Sequence, residues 1–565
     1  MMGRSHTRNA GVVVRCSVLV LLASFGSGSG AEPKSTILLK DVTSETSIAF
    51  QHRDGSSGRH YIVELVASGL ALFDYDNDGD IDVYFLNGGA LRETHYETPP
   101  RNAMYRNDGN WKFTDVTEQS GLGDPGHALG IAVGDYDNDG DQDIYVTNFG
   151  PNVLFRNNGD GTFADVTAKA GVADGFKLGA GANFLDADKD GDLDLFSSSY
   201  VAFTYENHAE RMIGGIPTYV GPRAYDPTPD TLFRNNGDGT FTNISDASGI
   251  SSCPGTGMGT VCADFDNDGD TDIYVANDGM QNFLWENDGT GKFDEIGLPA
   301  GVGCDMNGSD MGTMGLGCGD YNNDGLLDFY ATAYQDQLPS LYRNTGDGLF
   351  EDVSLITGAG AGANRTVTWG NDFVDFDYDG DRDLFVALGH LQDNIELWDK
   401  RSTYHATNEL YMNTGDGKFV NVSDASGDVM KIRLSSRAVG FDDLDGDGDV
   451  DVVVLNSRRE PTVMRNDSPN LGHWLQVQLR GTKTNRDGIG ARVKVFAGDL
   501  TLVDEVHSGR GYQSHYGTRL YFGLGHHDQV DRVEVRWIGG GVDVSKGIKV
   551  NSLVTLVEGQ SQAGN

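Results

Sequence analysis

Basic side chains are scarce in this chain. It holds 42 lysines and arginines against 84 aspartates and glutamates, a formal charge of −42. Binding to phosphate backbones needs a basic footprint, so nucleic acid is excluded as a partner. Long apolar runs are also lacking. The one stretch of note, Ser17 to Phe25, is too short to cross a bilayer, and no later segment could, so no membrane span is expected. Catalytic signatures are missing: there is no Gly-x-Ser-x-Gly, no His-Glu-x-x-His and no P-loop. The histidines, among them His52, His127, His390, His507 and His515, are scattered, so neither a catalytic residue nor an organic cofactor site is assigned.

Cysteine is sparse too, with five in 565 residues. One, Cys16, falls in an N-terminal segment that carries Arg4, Arg8 and Arg15, then the short apolar run, then small residues up to Ala31. That order reads as a secretory leader over residues 1–31, and the mature chain is expected to be extracellular or periplasmic. In an exported chain the remaining Cys253, Cys262, Cys304 and Cys318 suggest disulfides. Three pairings are possible, and the local ones, Cys253–Cys262 and Cys304–Cys318, are favoured over free buried thiols.

Aspartate is abundant, and it is patterned. Residues 74–82 read Asp-Tyr-Asp-Asn-Asp-Gly-Asp-Ile-Asp, with carboxylates at alternate positions and glycine at the sixth. Alternating side chains converge only if the chain curls, which the glycine permits, and carboxylates so crowded repel unless a hard cation lies among them. Calcium, with six to eight oxygen ligands, suits them best. The predicted ligands at positions 1, 3, 5, 7 and 9 are Asp74, Asp76, Asp78, Asp80 and Asp82 in the first loop. In the second they are Asp135, Asp137, Asp139, Asp141 and Asp143, and in the third Asp186, Asp188, Asp190, Asp192 and Asp194. The fourth offers Asp264, Asp266, Asp268, Asp270 and Asp272; the fifth, poorest in charge, Asp320, Asn322, Asp324, Leu326 and Asp328. The sixth has Asp375, Asp377, Asp379, Asp381 and Asp383, and the seventh Asp443, Asp445, Asp447, Asp449 and Asp451. Position 7 would ligate through its main-chain carbonyl, so leucine is tolerated there. About seven structural Ca²⁺ ions are expected.

An EF-hand would need flanking helices and a glutamate at position 12. Position 12 here is Phe85, Val146, Ser197, Val275, Ala331, Val386 or Val454, and short β-branched runs such as Ile144-Tyr145-Val146-Thr147 follow the loops. Each loop therefore joins two strands. A second module alternates with it: Asn157-Asn158-Gly159-Asp160-Gly161 lies between a hydrophobic strand and Phe163-Ala164-Asp165-Val166-Thr167, a tight hairpin. Four strands in 50–80 residues is one propeller blade. After the seventh loop the hairpin stops at Asn466, while Lys40-Asp41-Val42-Thr43 at the N-terminus matches its missing half. The fold class expected is all-β: a seven-bladed propeller over 32–468, sealed by an N-terminal strand. Alternating runs such as Trp474–Leu479 and Arg532–Trp537 predict a small β-sandwich or barrel over 469–565. Two insertions, Ser197–Pro229 and Gly389–Thr407, are rich in aromatic residues; they are candidate binding loops, unless the aromatics simply pack over blade edges.

The loops resemble the FG-GAP/VCBS repeats of integrin-α-type propellers. The tail resembles the ASPIC/UnbV domain through Gly472-His473-Trp474-Leu475, Asn485–Arg492 and Phe522-Gly523-Leu524-Gly525. Together they are similar to the cartilage-acidic-protein-like family of secreted proteins. The resemblance implies extracellular calcium binding and adhesion or recognition, with a protein or glycan partner, and it implies no reaction. The alternative is a secreted carbohydrate-active enzyme, a polysaccharide lyase or hydrolase, with its site on a propeller face. Arg486, Arg492 and Arg510, near Tyr512, form a candidate anion site in the tail.

Overall fold

The structure, a computed structural model, describes residues 34–469 and 472–561; the predicted leader lies outside them. Seven four-stranded antiparallel groups, each called a sheet below, follow one another, the first six with their strands in chain order; the second and third are joined through Leu178 and Phe149 into one eight-stranded sheet. The first contains Leu70–Phe73, Asp82–Phe85, Ala103–Asn107 and Phe113–Asp115, and the acidic loop joins its first two strands. The same order repeats through the sixth sheet, Thr368–Val374 to Phe419–Asn421. The seventh takes Ser436–Asp442, Asp451–Asn456 and Thr462–Asn466 from one end of the chain. Its fourth strand is Leu39–Asp41, paired with Thr462–Asn466 in the register Lys40↔Arg465.

The N-terminal strand makes the contacts its sequence promised. In the first sheet the Thr117 hydroxyl accepts the Met104 N–H at 2.9 Å, while Asp115 accepts the Thr117 N–H at 3.0 Å. In the seventh, the Thr43 hydroxyl accepts the Val463 N–H at 2.9 Å and Asp41 accepts the Thr43 N–H at 2.9 Å. Aspartate and threonine two residues apart thus tie the end of the outer strand to its neighbour in both sheets, and residues about 420 apart in sequence form the pair in the seventh.

The first strands of successive sheets stand side by side and are wholly buried, including Ala128–Gly134 and Ser436–Asp442. Glycine is needed here for close approach. A Cβ on Gly130 would lie 2.0 Å from the Ala180 carbonyl oxygen, and one on Gly315 would lie 2.1 Å from that of Trp369. Between sheets pack aliphatic and aromatic clusters, such as Phe73, Tyr84, Ile131 and Ile144 between the first two.

Beyond the seventh sheet the chain forms two further sheets. His473–Arg480 pairs with Arg519–Gly525 and Ser552–Val557; Arg492–Ala497 pairs with Leu500–Glu505 and Arg532–Arg536, and the last of these with Val542–Ser545. Their inner faces, with Leu475, Val477, Val493 and Val533, share one core with Phe184 and Leu193 of the third sheet. The C-terminal region is therefore packed against the repeats rather than tethered to them.

One segment of it runs along the axis. The His507 ring bonds the Cys262 carbonyl at 2.9 Å, and the Ser508 hydroxyl donates to that of Val133 at 2.6 Å. Asn183 donates to the Ser508 and Gly509 carbonyls at 2.8 and 2.7 Å. Leu316 N–H donates to the Gly511 carbonyl at 3.1 Å. Arg510 pairs with Asp372 at 2.6 Å, and Tyr516 packs edge-on against Phe441 at 5.4 Å. Ser514–His515 pairs in parallel with Leu70–Ala71. Residues 507–516 thus touch the first strand of every one of the seven sheets.

The four cysteines correct an expectation: all are free thiols. Cys262 and Cys318 lie in the buried first strands of their sheets and pack as small hydrophobes in separate clusters.

Candidate metal centres and the faces they support

Each acidic loop folds on its own main chain. In the first, the Asp74 carboxylate accepts the N–H groups of Asp78 and Gly79 at 3.1 and 2.9 Å, while Gly79 takes φ of 98°. Asp82, buried at position 9, accepts the Tyr75 N–H at 3.1 Å and the Asn107 N–H of the neighbouring hairpin at 2.7 Å. All seven loops repeat the Asp82 arrangement; Asp451, in the last, accepts from Leu444 and Asn466 at 2.9 Å each. Position 9 therefore locks the loop to the strand that follows it, whatever else it binds.

In the loops that follow, three of the five implied side chains are brought together. Carboxylate oxygens of Asp74, Asp76 and Asp78 lie within 4.8 Å of one another, as do those of Asp135, Asp137 and Asp143. The same holds for Asp186, Asp188 and Asp190, for Asp264, Asp266 and Asp272, and for Asp375, Asp377 and Asp383. Several of these oxygens, Oδ1 of Asp76, Asp188, Asp375, Asp377 and Asp445, are buried without a hydrogen-bond donor. Burial and the neighbouring carboxylates push Asp82 up to about 9, Asp135 to about 8 and Asp186 to about 7. Orphaned, mutually repelling oxygens with no nitrogen or sulfur donor among them fit a hard, oxygen-seeking cation.

Position 7 does something the sequence reading did not foresee. Its side chains point to the preceding loop: Asn77 donates to Asp141 at 2.7 Å, Asn138 to Asp192 at 3.2 Å and Asn323 to Asp381 at 3.1 Å, while Lys189 pairs with Asp270. The donor is the residue at position 4, which sits in the left-handed region (Asn77 φ 60°, Asn138 φ 57°), a conformation asparagine tolerates. Leucine at position 326 breaks this series, and the orphaned partner, Asn267, is taken by Arg492 instead. Asparagine at position 4 was the available signal.

The C-terminal domain closes over several loops. Arg536 pairs with Asp264, Arg486 lies 3.9 Å from Asp135, and Gln476 donates to Asp443 at 3.0 Å. Arg492 pairs with Glu505 at 3.0 Å and Arg510 with Asp372. The candidate anion site formed by Arg486, Arg492 and Arg510 is thereby corrected: the Arg492 and Arg510 guanidiniums are buried and spent on the protein's own carboxylates, which leaves only Arg486 partly exposed. Buried His52, His127, His390, His507 and His515 all bond within the fold, and burial lowers them, to about 4 for His52 and about 3 for His515.

On the opposite face the two insertions meet. Tyr219 and Gln392 exchange hydrogen bonds, 2.9 and 3.0 Å, and the Tyr219 hydroxyl donates to Glu64 at 2.8 Å. Tyr200, Phe203 and Tyr219 are buried in a cluster that extends to Trp369 and Tyr512 on the axis. Beside them opens a groove of about 630 Å³, walled by Tyr200, Tyr334, Arg211, Arg223, Asp278 and Gln337.

The chain belongs to the FG-GAP-like repeat family, which it matches over residues 74–146, 135–197, 219–275, 264–331 and 320–386, and it carries an ASPIC and UnbV domain over residues 481–563. Among its relatives is cartilage acidic protein 1 of Xenopus tropicalis, 26% identical over 521 residues, which span 86% of this chain and 73% of the relative. The Homo sapiens protein of that name is 25% identical over 512 residues, 87% and 71% of the two chains. Solved structures that align include an Agrocybe aegerita lectin recognising non-reducing terminal N-acetylglucosamine, at 19% identity and TM-score 0.36 over 63% of this chain and 79% of that one. A Bacillus licheniformis rhamnogalacturonan lyase aligns at 14% identity and TM-score 0.35, over 70% and 71%.

Proposed function

We propose that the chain is a secreted recognition module, a closed seven-bladed propeller held by about seven structural Ca²⁺ ions, that binds an extracellular protein or glycan. The ions would sit among positions 1, 3, 5 and 9 of each loop and the carbonyl of position 7. They would supply the charge that the orphaned oxygens lack. The leader pattern of residues 1–31 and kinship with proteins named for cartilage support an extracellular setting.

One observation carries the recognition reading. The acidic face is covered by the protein's own C-terminal domain, whereas the opposite face presents the groove between the insertions, with tyrosine rings and a few convergent polar groups. Long loops on a rigid scaffold, around a cavity of that composition, are where ligands bind. Glycan-array and pull-down binding in Ca²⁺ should be lost in Tyr334→Ala and Arg211→Ala variants that melt like the parent. Binding indifferent to both substitutions would refute the assignment, and turnover of a bound glycan would make the protein an enzyme instead.

A further inference from the structure

A second cavity, of about 530 Å³, opens on the face away from the acidic loops, where the sixth-sheet insertion meets the turn before Thr368. In a chain with twice as many acidic as basic residues, it is lined by three guanidiniums, Arg365, Arg401 and Arg433, and by one carboxyl, Glu409. Arg401 is held from outside by Asp399 at 2.8 Å and Asp336 at 3.0 Å. Arg433 is positioned by neutral oxygens only, the Thr403 hydroxyl at 2.8 Å and the His405 carbonyl at 2.7 Å. Arg365 makes no hydrogen bond or close ion pair among the described residues, and the one carboxyl that feels its charge is Glu409 in the same wall.

The wall offers more donors than acceptors. Thr366 and Ser402 line the cavity, are 7% and 4% exposed, and carry hydroxyls without a hydrogen-bond partner. Buried hydroxyls are ordinarily paired, so two unpaired ones in one wall mark a place where hydrogen-bond partners are missing, and each can donate to an acceptor that enters. Glu409 is the one carboxyl in the wall: burial pushes it up to about 7, while the Tyr411 hydroxyl, which donates to it, and the Arg365 charge work the other way.

We propose that this cavity binds an oxyanion, a carboxylate or sulfate group, through Arg365 and Arg433 with the Thr366 and Ser402 hydroxyls behind them. Guanidinium forks match both groups, and charge-assisted bonds of this kind are the strong ones. The site is separate from the groove at Tyr334 and does not depend on it.

Titration calorimetry of the full chain in Ca²⁺, at constant ionic strength in chloride, tests this with sodium sulfate and with a glucuronate-containing disaccharide. Saturable binding is expected, at least tenfold weaker in Arg365→Gln, which breaks no hydrogen bond, with a Tm close to the parent's; Tyr334→Ala should bind as the parent does. Sulfate alone binding would assign the site to a free anion and tighter disaccharide binding to a glycan-borne one; either supports the oxyanion chemistry. If neither probe binds saturably, or if Arg365→Gln binds as tightly as the parent, the proposal fails.

Discussion

The side-chain amide of Asn107 donates to the main-chain carbonyl of Leu444 at 2.8 Å, joining the first sheet to the seventh. Six further bonds of the same kind link neighbours: Asn157 to Tyr75, Asn235 to Tyr136, Asn287 to Ala187, Asn344 to Phe265, Asn413 to Tyr321 and Asn466 to Phe376. In each, a hairpin asparagine reaches position 2 of the preceding acidic loop. The series passes through all seven sheets and returns to its start, as the proposed closed ring would require. Removing one such buried donor strands its acceptors, at a cost of about 1–3 kcal/mol. Asn107→Ala should therefore lower Tm as much as Asn287→Ala does. A silent Asn107→Ala beside a destabilising Asn287→Ala would mean that the ring is open between the seventh and first sheets.

Calcium and pH should act against each other. Without a cation, Asp82, Asp135 and Asp186 have folded-state values near 9, 8 and 7, above the ordinary 3.8 of the unfolded chain. A carboxyl raised on folding contributes stability that is complete below about pH 4 and is lost as pH climbs through the folded value. The difference in Tm between Ca²⁺-loaded and chelated protein should therefore widen from pH 5 to pH 8. Saturation at a hundred times Kd adds about 2.7 kcal/mol per site. Superimposed melting curves at pH 8, with and without chelator, would contradict a structural role for the metal.

Within one loop the structure separates ligand from fastener. Asp188 carries a buried, unpartnered oxygen, whereas the Asp192 side chain is occupied by Asn138. Asp188→Ala should reduce the calorimetric Ca²⁺ stoichiometry by one. Asp192→Ala keeps the position-7 carbonyl, so it should retain that ion and lose only about 1 kcal/mol of stability. Equal loss of the ion in both variants would show that position 7 ligates through its carboxylate.

What the sequence revealed follows from where its information is local. The acidic loops are legible because alternation and glycine fix the turn within nine residues, and the carboxylates converge as that spacing demands. The N-terminal strand was readable because Asp41-Val42-Thr43 repeats a motif present elsewhere in the chain. The links from position 4 to position 7 went unseen because they join loops 50 to 80 residues apart through side chains that look like ordinary loop asparagines. The insertions could be read as binding loops or as aromatic packing, and both occur: Tyr200, Phe203 and Tyr219 are buried in one cluster, and only part of each insertion faces a groove. Residues 507–516 carry no periodicity at all. Their partners, from Leu70 to Phe441, are remote in sequence, so nothing nearby announces the axis.

That axial segment makes a last prediction. Arg510 and Asp372 are both almost fully buried, and the Arg510 guanidinium also donates to the Cys318 carbonyl at 3.1 Å. Taking away one member of a buried pair leaves an uncompensated charge, at a cost of about 3–5 kcal/mol, whereas replacing both with apolar groups of similar volume is often tolerated. Arg510→Ala should thus lower Tm sharply, and Arg510→Met combined with Asp372→Leu should recover only part of the loss, because Asp372 also accepts the Cys318 N–H at 3.2 Å and the Tyr516 hydroxyl at 2.9 Å. Because the pair lies between the repeats and the C-terminal domain, calorimetry of the full chain should show one transition, which moves as a whole in Arg510→Ala. Two transitions, with the substitution shifting only the smaller, would mean that the C-terminal domain unfolds from the ring on its own and that the axial segment is not needed to hold the seven sheets together.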